Sequence, residues 1–432
     1  MPVKRFRFEM EKLVFFQIFI VISLFLWSVV SEFVTYIFPS TVILMGIAFL
    51  AVISIIGIAV FCRILNVELF FHIVLMLAVY FFHNYYIEEQ SYFQPLLFIS
   101  IILVCYISDR TIKWVEYLIP MIRITYIFYA VCTVFFYFTP SFYLGTVVNF
   151  FPETRSRLIN WYNSGCMAGL TSHYSVNAIY IANGLMIEVS RILAADRVKK
   201  RQLLLLILLS AALLMTGKRG HIIFAGAAIF VIYWYYNEKK TRLLKAFRIL
   251  IAGVCIASVI FSVFPALGVF IERFQQQISE GNILTNRWMF WELAIQNFLE
   301  NPITGIGWGQ FLAESHEILD YQAHVHNVYI QLLCETGIVG FSIYVLWMFF
   351  NLKRILCLFL FARKYWCDVP EKIRRLLIFS LSLQVFFVLY SFSGNPLYDS
   401  MIFIPYMIAC SIGIYFGKGL LHQRKVVGIK SV

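Results

Sequence analysis

Residues 328–350 read VYIQLLCETGIVGFSIYVLWMFF, 23 positions with one formal charge, Glu335. An unbroken apolar run of this length reads as a helix that crosses a membrane; core helices of soluble domains rarely stay apolar beyond about 14 residues. The rest of the chain repeats the pattern. Of 432 residues, 61% are hydrophobic and 13% charged, against about 25% charged in a typical soluble domain. Mean hydropathy is +0.81. The expected architecture is all-α and polytopic, a single membrane domain over residues 1–432.

Twelve spans are expected, near 13–30, 41–62, 67–86, 93–108, 114–138, 166–190, 203–216, 220–236, 249–268, 328–350, 376–393 and 400–417. Strand-like alternation is absent from them, and an open sheet leaves its backbone unsatisfied in lipid. Residues 1–12 are basic and lead into the first run without a small-residue cleavage site, which reads as an uncleaved span. The net charge of +12 raises nucleic acid as a partner, but the cations sit in short loops between apolar runs, as topology signals do. With both termini in the cytoplasm, 28 of the 35 Lys and Arg residues fall on the cytoplasmic side. The exceptions are Arg123, within a span, and Arg155, Arg157, Lys218, Arg219, Arg273 and Arg287 on the outer side. The nine cysteines show no disulfide or metal-ligand spacing and read as small core residues.

The outer side carries a shorter loop, 139–165, and a large loop, 269–327, expected to be catalytic. Within the large loop, Trp288, Trp291, Ile295, Phe298 and Leu299 recur at helical spacing, an amphipathic helix expected to lie in the membrane interface. Asn301-Pro302 ends it. Gly305, Gly307 and Gly309 then make a turn where backbone can approach another group closely. His324-Val-His326-Asn327 follows, at the outer start of the tenth span. The positive end of the helix dipole disfavours imidazolium there, so His326 suits a general base; the plainer reading is a helix cap. His324 and His326 could form half a metal site, for which no third ligand stands nearby. Lys218-Arg219-Gly220 interrupts two apolar runs. It reads either as cations reaching for lipid headgroups or as an anion clamp, since arginine binds phosphate oxygens through two parallel N–H groups. Arg287, Arg155 and Arg157 could converge on the same anion. Glu335 reads as a hydrogen-bonding group between helices or, less simply, as a catalytic acid.

These residues resemble the O-antigen polymerase and ligase superfamily. The resemblance rests on Arg287-x-x-x-Trp291, on Asn301-Pro302-x-x-Gly305-x-Gly307, and on His326-Asn327 followed by nine residues and then Gly337-x-x-Gly340. It is strong over about 205–345 and looser at 157–185. It implies a metal-independent glycosyltransferase of the multi-span, lipid-donor type, working without a cofactor. The donor would be an undecaprenyl-diphosphate-linked oligosaccharide, the acceptor a glycan hydroxyl outside the bacterial cytoplasmic membrane. His326 would be the base. Arg219 and Arg287 would bind the diphosphate, joined by Arg155 or Arg157, with Lys218, Asn327 and His324 as further binding residues. The Ile306-Gly307 loop and the run Gln331 to Gly337 look more like polymerases of O-antigen, capsule or exopolysaccharide than like ligases. A polymerase of this kind implies a flippase and a chain-length regulator as partners. A transporter is the competing class. It predicts polar groups at the bilayer midplane and matching breaks in two halves, whereas here the polar residues gather at one end.

Overall fold

A computed structural model describes residues 111–238, 240–263, 287–319 and 323–427, with ten scattered positions elsewhere. Expected spans 41–62, 67–86 and 93–108 lie outside the described residues, as do most of 13–30 and most of the large loop before Arg287. The described residues are helical, without strands. Labelled along them, the helices are α1 (Lys113–Phe138), α2 (Pro140–Gly145), α3 (Arg155–Asn163), α4 (Tyr174–Ala194), α5 (Lys200–Met215) and α6 (Arg219–Tyr236). After these come α7 (Arg242–Val263), α8 (Arg287–Glu300), α9 (Gln310–Leu319), α10 (Val328–Lys364), α11 (Glu371–Tyr390) and α12 (Ser400–Val427). By length and composition, α1, α4, α10 and α11 can each cross a membrane, and a shorter apolar helix covers Met401–Gly417.

Helix α11 is the hub. It packs against α4, α6, α10 and α12, and the run Leu376 to Phe387 is buried on every side. A helix without a charged face over these turns, its Ser380, Ser382 and Gln384 side chains hydrogen-bonded inside, fits such a position. Helix α1 lies at the rim, with Tyr117, Ile124, Phe128, Val131 and Phe135 exposed while Trp114, Leu118, Ile122 and Tyr126 are buried. The outward stripe is what lipid solvates. Arg123, the one cation expected inside a span, pairs with the buried Glu188 of α4, and Arg191 approaches the same carboxylate at 3.6 Å. A carboxylate shared by two cations is how a charge is retained at this depth.

The bundle has two chemically distinct ends. One is basic and tied by Arg374 to Asp196 at 2.7 Å, Lys372 to Glu116 at 2.6 Å, and Arg363, whose Nε donates to the Tyr236 carbonyl at 2.5 Å. The other holds the chain reversals α1–α4, α5–α6, α8–α10 and α11–α12. There Met167 N–H donates to the Met215 carbonyl at 3.0 Å and Val328 N–H to the Ser391 carbonyl at 2.9 Å.

The expected span 328–350 is not one straight helix. Gly337 sits at φ 58° and ψ −169°, so α10 is a short arm and a long arm joined at a break. Broken helix at membrane depth survives only if its freed backbone groups find partners. The segment after α8 supplies them. Ile306 N–H donates to the Cys334 carbonyl and Gly307 N–H to the Glu335 carbonyl, both at 2.9 Å, and Ile338 N–H donates to the Pro302 carbonyl at 2.9 Å. Glycine is required on both sides of this crossing. A Cβ on Gly305 would stand 2.4 Å from the Glu335 carbonyl carbon, and one on Gly337 would stand 2.3 Å from the Ile303 carbonyl carbon. The close approach anticipated for the glycine turn is thus made to the α10 backbone itself.

Candidate active site

Four helices begin at the end where the chain reverses: α4 at Tyr174, α6 at Arg219, α8 at Arg287 and α10 at Val328. Each turns the positive end of its dipole toward this end, a setting that attracts anions.

His326 lies one residue before the cap of α10. It is the one non-glycine residue with positive φ among the described residues, at 57°, a conformation that costs a side-chain-bearing residue of order 1 kcal/mol or more and needs flanking contacts to hold it. Those contacts are present on both sides. The Trp291 indole N–H donates to the Val325 carbonyl at 3.0 Å. Asn327 accepts from Tyr329 N–H at 3.0 Å and Ile330 N–H at 3.3 Å through its side-chain oxygen, so this atom caps the helix and fixes the residue after His326. Burial, followed by the facing Arg287 and Lys218 charges, lowers the His326 imidazole to about 3. It is therefore neutral at physiological pH, with a nitrogen lone pair to offer.

The cations come from distant parts of the chain. Lys218 caps α6 and stands over the Tyr174 ring at 5.4 Å. Burial, followed by the Arg287 and Arg219 charges, lowers it to about 8. Arg287 opens α8 and is pinned from the α11–α12 connection, its Nη1 donating to the Ser393 carbonyl at 3.1 Å and hydroxyl at 2.9 Å. Arg219 is half-buried and near enough to act on both Lys218 and Arg287. Arg287 and Arg219 both act to depress Lys218, and Arg219 acts on Arg287, without a carboxylate among those influences, which describes a site prepared for an anion.

The structure separates the remaining expected residues. Arg157 is close enough to His173 to disfavour its protonation. Arg155 is exposed and donates its Nε to Asn149 at 2.9 Å, within its own loop. His324 turns away from the cations. Its Nδ1 lies 3.1 Å from Gln331 Nε2, which also donates to Glu335 at 2.9 Å, and its ring packs on Tyr398 at 5.6 Å. Glu335 accepts a second bond from the Tyr398 hydroxyl at 2.7 Å. This buried carboxylate therefore joins α10 to the α11–α12 connection, the hydrogen-bonding reading of the residue. The stripe expected on α8 is divided: Trp288, Ile295 and Leu299 point outward, whereas Trp291 turns in toward Val325.

Two residues of this end were absent from the expectation. Ser393 follows an apolar run and carries no motif. His173 precedes one, just as His326 does, and that placement was a usable signal. Its imidazole caps α4, accepting from Ser175 N–H at 3.0 Å.

No curated protein matches the chain. Residues 204–345, about a third of the chain, match the family model described as O-antigen ligase. That stretch contains Lys218, Arg219, Arg287 and His326 and both sides of the glycine crossing, and over it the chain is similar to the O-antigen ligase family.

Proposed function

We propose that this end of the bundle faces away from the cytoplasm and transfers a glycan from undecaprenyl diphosphate to an acceptor sugar hydroxyl, lengthening a lipid-linked surface polysaccharide. The observation that carries the reading is the neutral His326 imidazole held beside Lys218 and Arg287 where four helices begin. In the proposed step, His326 takes the acceptor hydroxyl proton as the acceptor oxygen bonds to the anomeric carbon. The anomeric C–O bond to phosphate breaks, and its electron pair leaves on undecaprenyl diphosphate. Arg219, Arg287 and Lys218 stabilise the charge growing on that leaving group, so the chemistry asks little of an acid. The base contributes roughly 10²–10⁴ in rate; the fixed helix ends contribute by positioning. In this reading loops 139–165 and 269–327 lie outside the cytoplasm and the basic end faces it.

Polymerase is favoured over ligase by the resemblance of the Ile306-Gly307 and Gln331–Gly337 elements. Deleting the gene separates the two: a polymerase leaves single lipid-linked repeats, a ligase leaves long lipid-linked chains. His326→Ala, inserted at normal levels, should abolish transfer; normal glycan length in that strain would remove His326 as the base.

A further inference from the structure

The shorter outer loop brings its own group to the cation cluster. His173 sits in extended backbone at the cap of α4, and its Nδ1 accepts the Ser175 N–H at 3.0 Å. A nitrogen accepting from an amide holds no proton of its own. The ring is therefore neutral, and its single proton is on Nε2. No described residue accepts from that Nε2. The ring has little freedom to turn. Trp161 meets it edge-on with centroids 4.4 Å apart, and Tyr174 stacks on it at 4.6 Å. The charges acting on it are Lys218 and Arg157, both hydrogen-bond donors. His173 in turn acts on His326, which places it at the same site. A donor with fixed direction, beside other donors and lacking an acceptor, is completed by an anionic oxygen.

We propose that His173 is a further binding residue for the donor, giving its Nε2–H to a phosphate oxygen of the polyprenyl diphosphate held by Arg219 and Arg287. The inference rests on the glycosyl-transfer reading above, and it assigns a neutral donor where a fourth cation would raise the repulsion within the empty site. The imidazole thus has two separable tasks, with one nitrogen capping the helix and the other meeting the ligand.

Asparagine separates these tasks. As a favoured N-cap it retains the bond to Ser175 N–H, but it cannot reach where the ring places Nε2–H. The measurement is binding of undecaprenyl diphosphate, carrying no sugar, to the full chain in lipid nanodiscs, alongside the melting temperature. His173→Ala should lower both. His173→Asn should restore the melting temperature and leave binding about ten-fold weaker than wild type or worse, the loss expected for a hydrogen bond to a charged oxygen. Binding by His173→Asn within two-fold of wild type overturns the proposal and leaves His173 as a cap alone. Should that variant not fold, the wild-type protein answers the question. With 15N-labelled histidine, undecaprenyl diphosphate should move the His173 Nε2–H proton resonance downfield, as a new hydrogen bond to an anionic oxygen requires. A resonance unmoved by saturating lipid overturns the proposal. Wild-type protein that fails to bind undecaprenyl diphosphate at all counts against the glycosyl-transfer reading instead.

Discussion

Lys218 converts the proposed site into a pH-dependent measurement. Its ammonium is held at about 8, first by burial and then by Arg287 and Arg219, against about 10.4 for an unperturbed lysine. It is protonated below that value and neutral above it, so the site loses a cation as pH rises. At pH 7 about nine-tenths of the molecules carry the charge, and at pH 9 about one-tenth. If only the charged form binds the donor well, kcat/KM for donor falls about ten-fold per unit above pH 8. The fall ends when the neutral form carries the flux. A hydrogen bond to a charged partner is worth ~1.5–3 kcal/mol, so the floor lies about ten- to 150-fold below the plateau. Bound diphosphate raises the lysine's proton affinity again, so kcat should hold to higher pH than kcat/KM. Lys218→Arg keeps its charge throughout and should lose the alkaline limb. The assay is initial transfer rate from a synthetic lipid-diphosphate donor between pH 6 and 10. A Lys218→Arg profile that still falls above pH 8, or a wild-type profile flat to pH 10, refutes the reasoning.

The other expectations follow the same geometry. The His326 imidazole, lowered to about 3 by burial and then by the Arg287 and Lys218 charges, stays unprotonated well below the usual 6.5. The acid limb of kcat/KM should therefore lie below pH 5, while that of kcat moves upward once the bound anion offsets the cations; a kcat/KM limb near 6.5 would contradict it. Trp291→Phe removes the indole N–H from the Val325 carbonyl and should lower kcat ten-fold or more with little change in donor KM, because it frees the backbone beside His326; unchanged kcat would show that this lock is dispensable. Gly337→Ala meets both a positive φ and the Ile303 backbone and should cost about 2–5 kcal/mol, read as a lower melting temperature with loss of transfer. Arg157→Gln should raise donor KM several-fold and Arg155→Gln should not, since Arg155 bonds Asn149 within its own loop; equal effects would contradict this separation.

Hydropathy made the helices legible because lipid imposes one rule on every backbone group, that it be satisfied within its own segment. The expectation at 114–138 and the observed Lys113–Phe138 differ by a residue, and 220–236 and Arg219–Tyr236 agree as closely. Ends were less legible where apolar character and helix part company. Expected span 166–190 begins with residues that form the loop preceding Tyr174, and α7 starts seven residues before the expected 249 because its first turns are basic. The residue types of the site were legible too, since a cation or an imidazole at an outer helix end stands out against apolar neighbours. Their arrangement was not. Arg287 is held by Ser393, 106 residues further along the chain, and nothing local to either residue signals the other. The glycines at 305 and 337 stood out as residue types, but that each admits the other's backbone is a fact of packing. The break at Gly337 was hidden within an apolar run, because hydropathy reports what lipid accepts and is blind to φ. The sequence by itself therefore decided which segments leave water and which groups could do chemistry. The tertiary structure alone decided which of those groups meet, because their meeting depends on helices far apart in sequence packing at fixed register around α11.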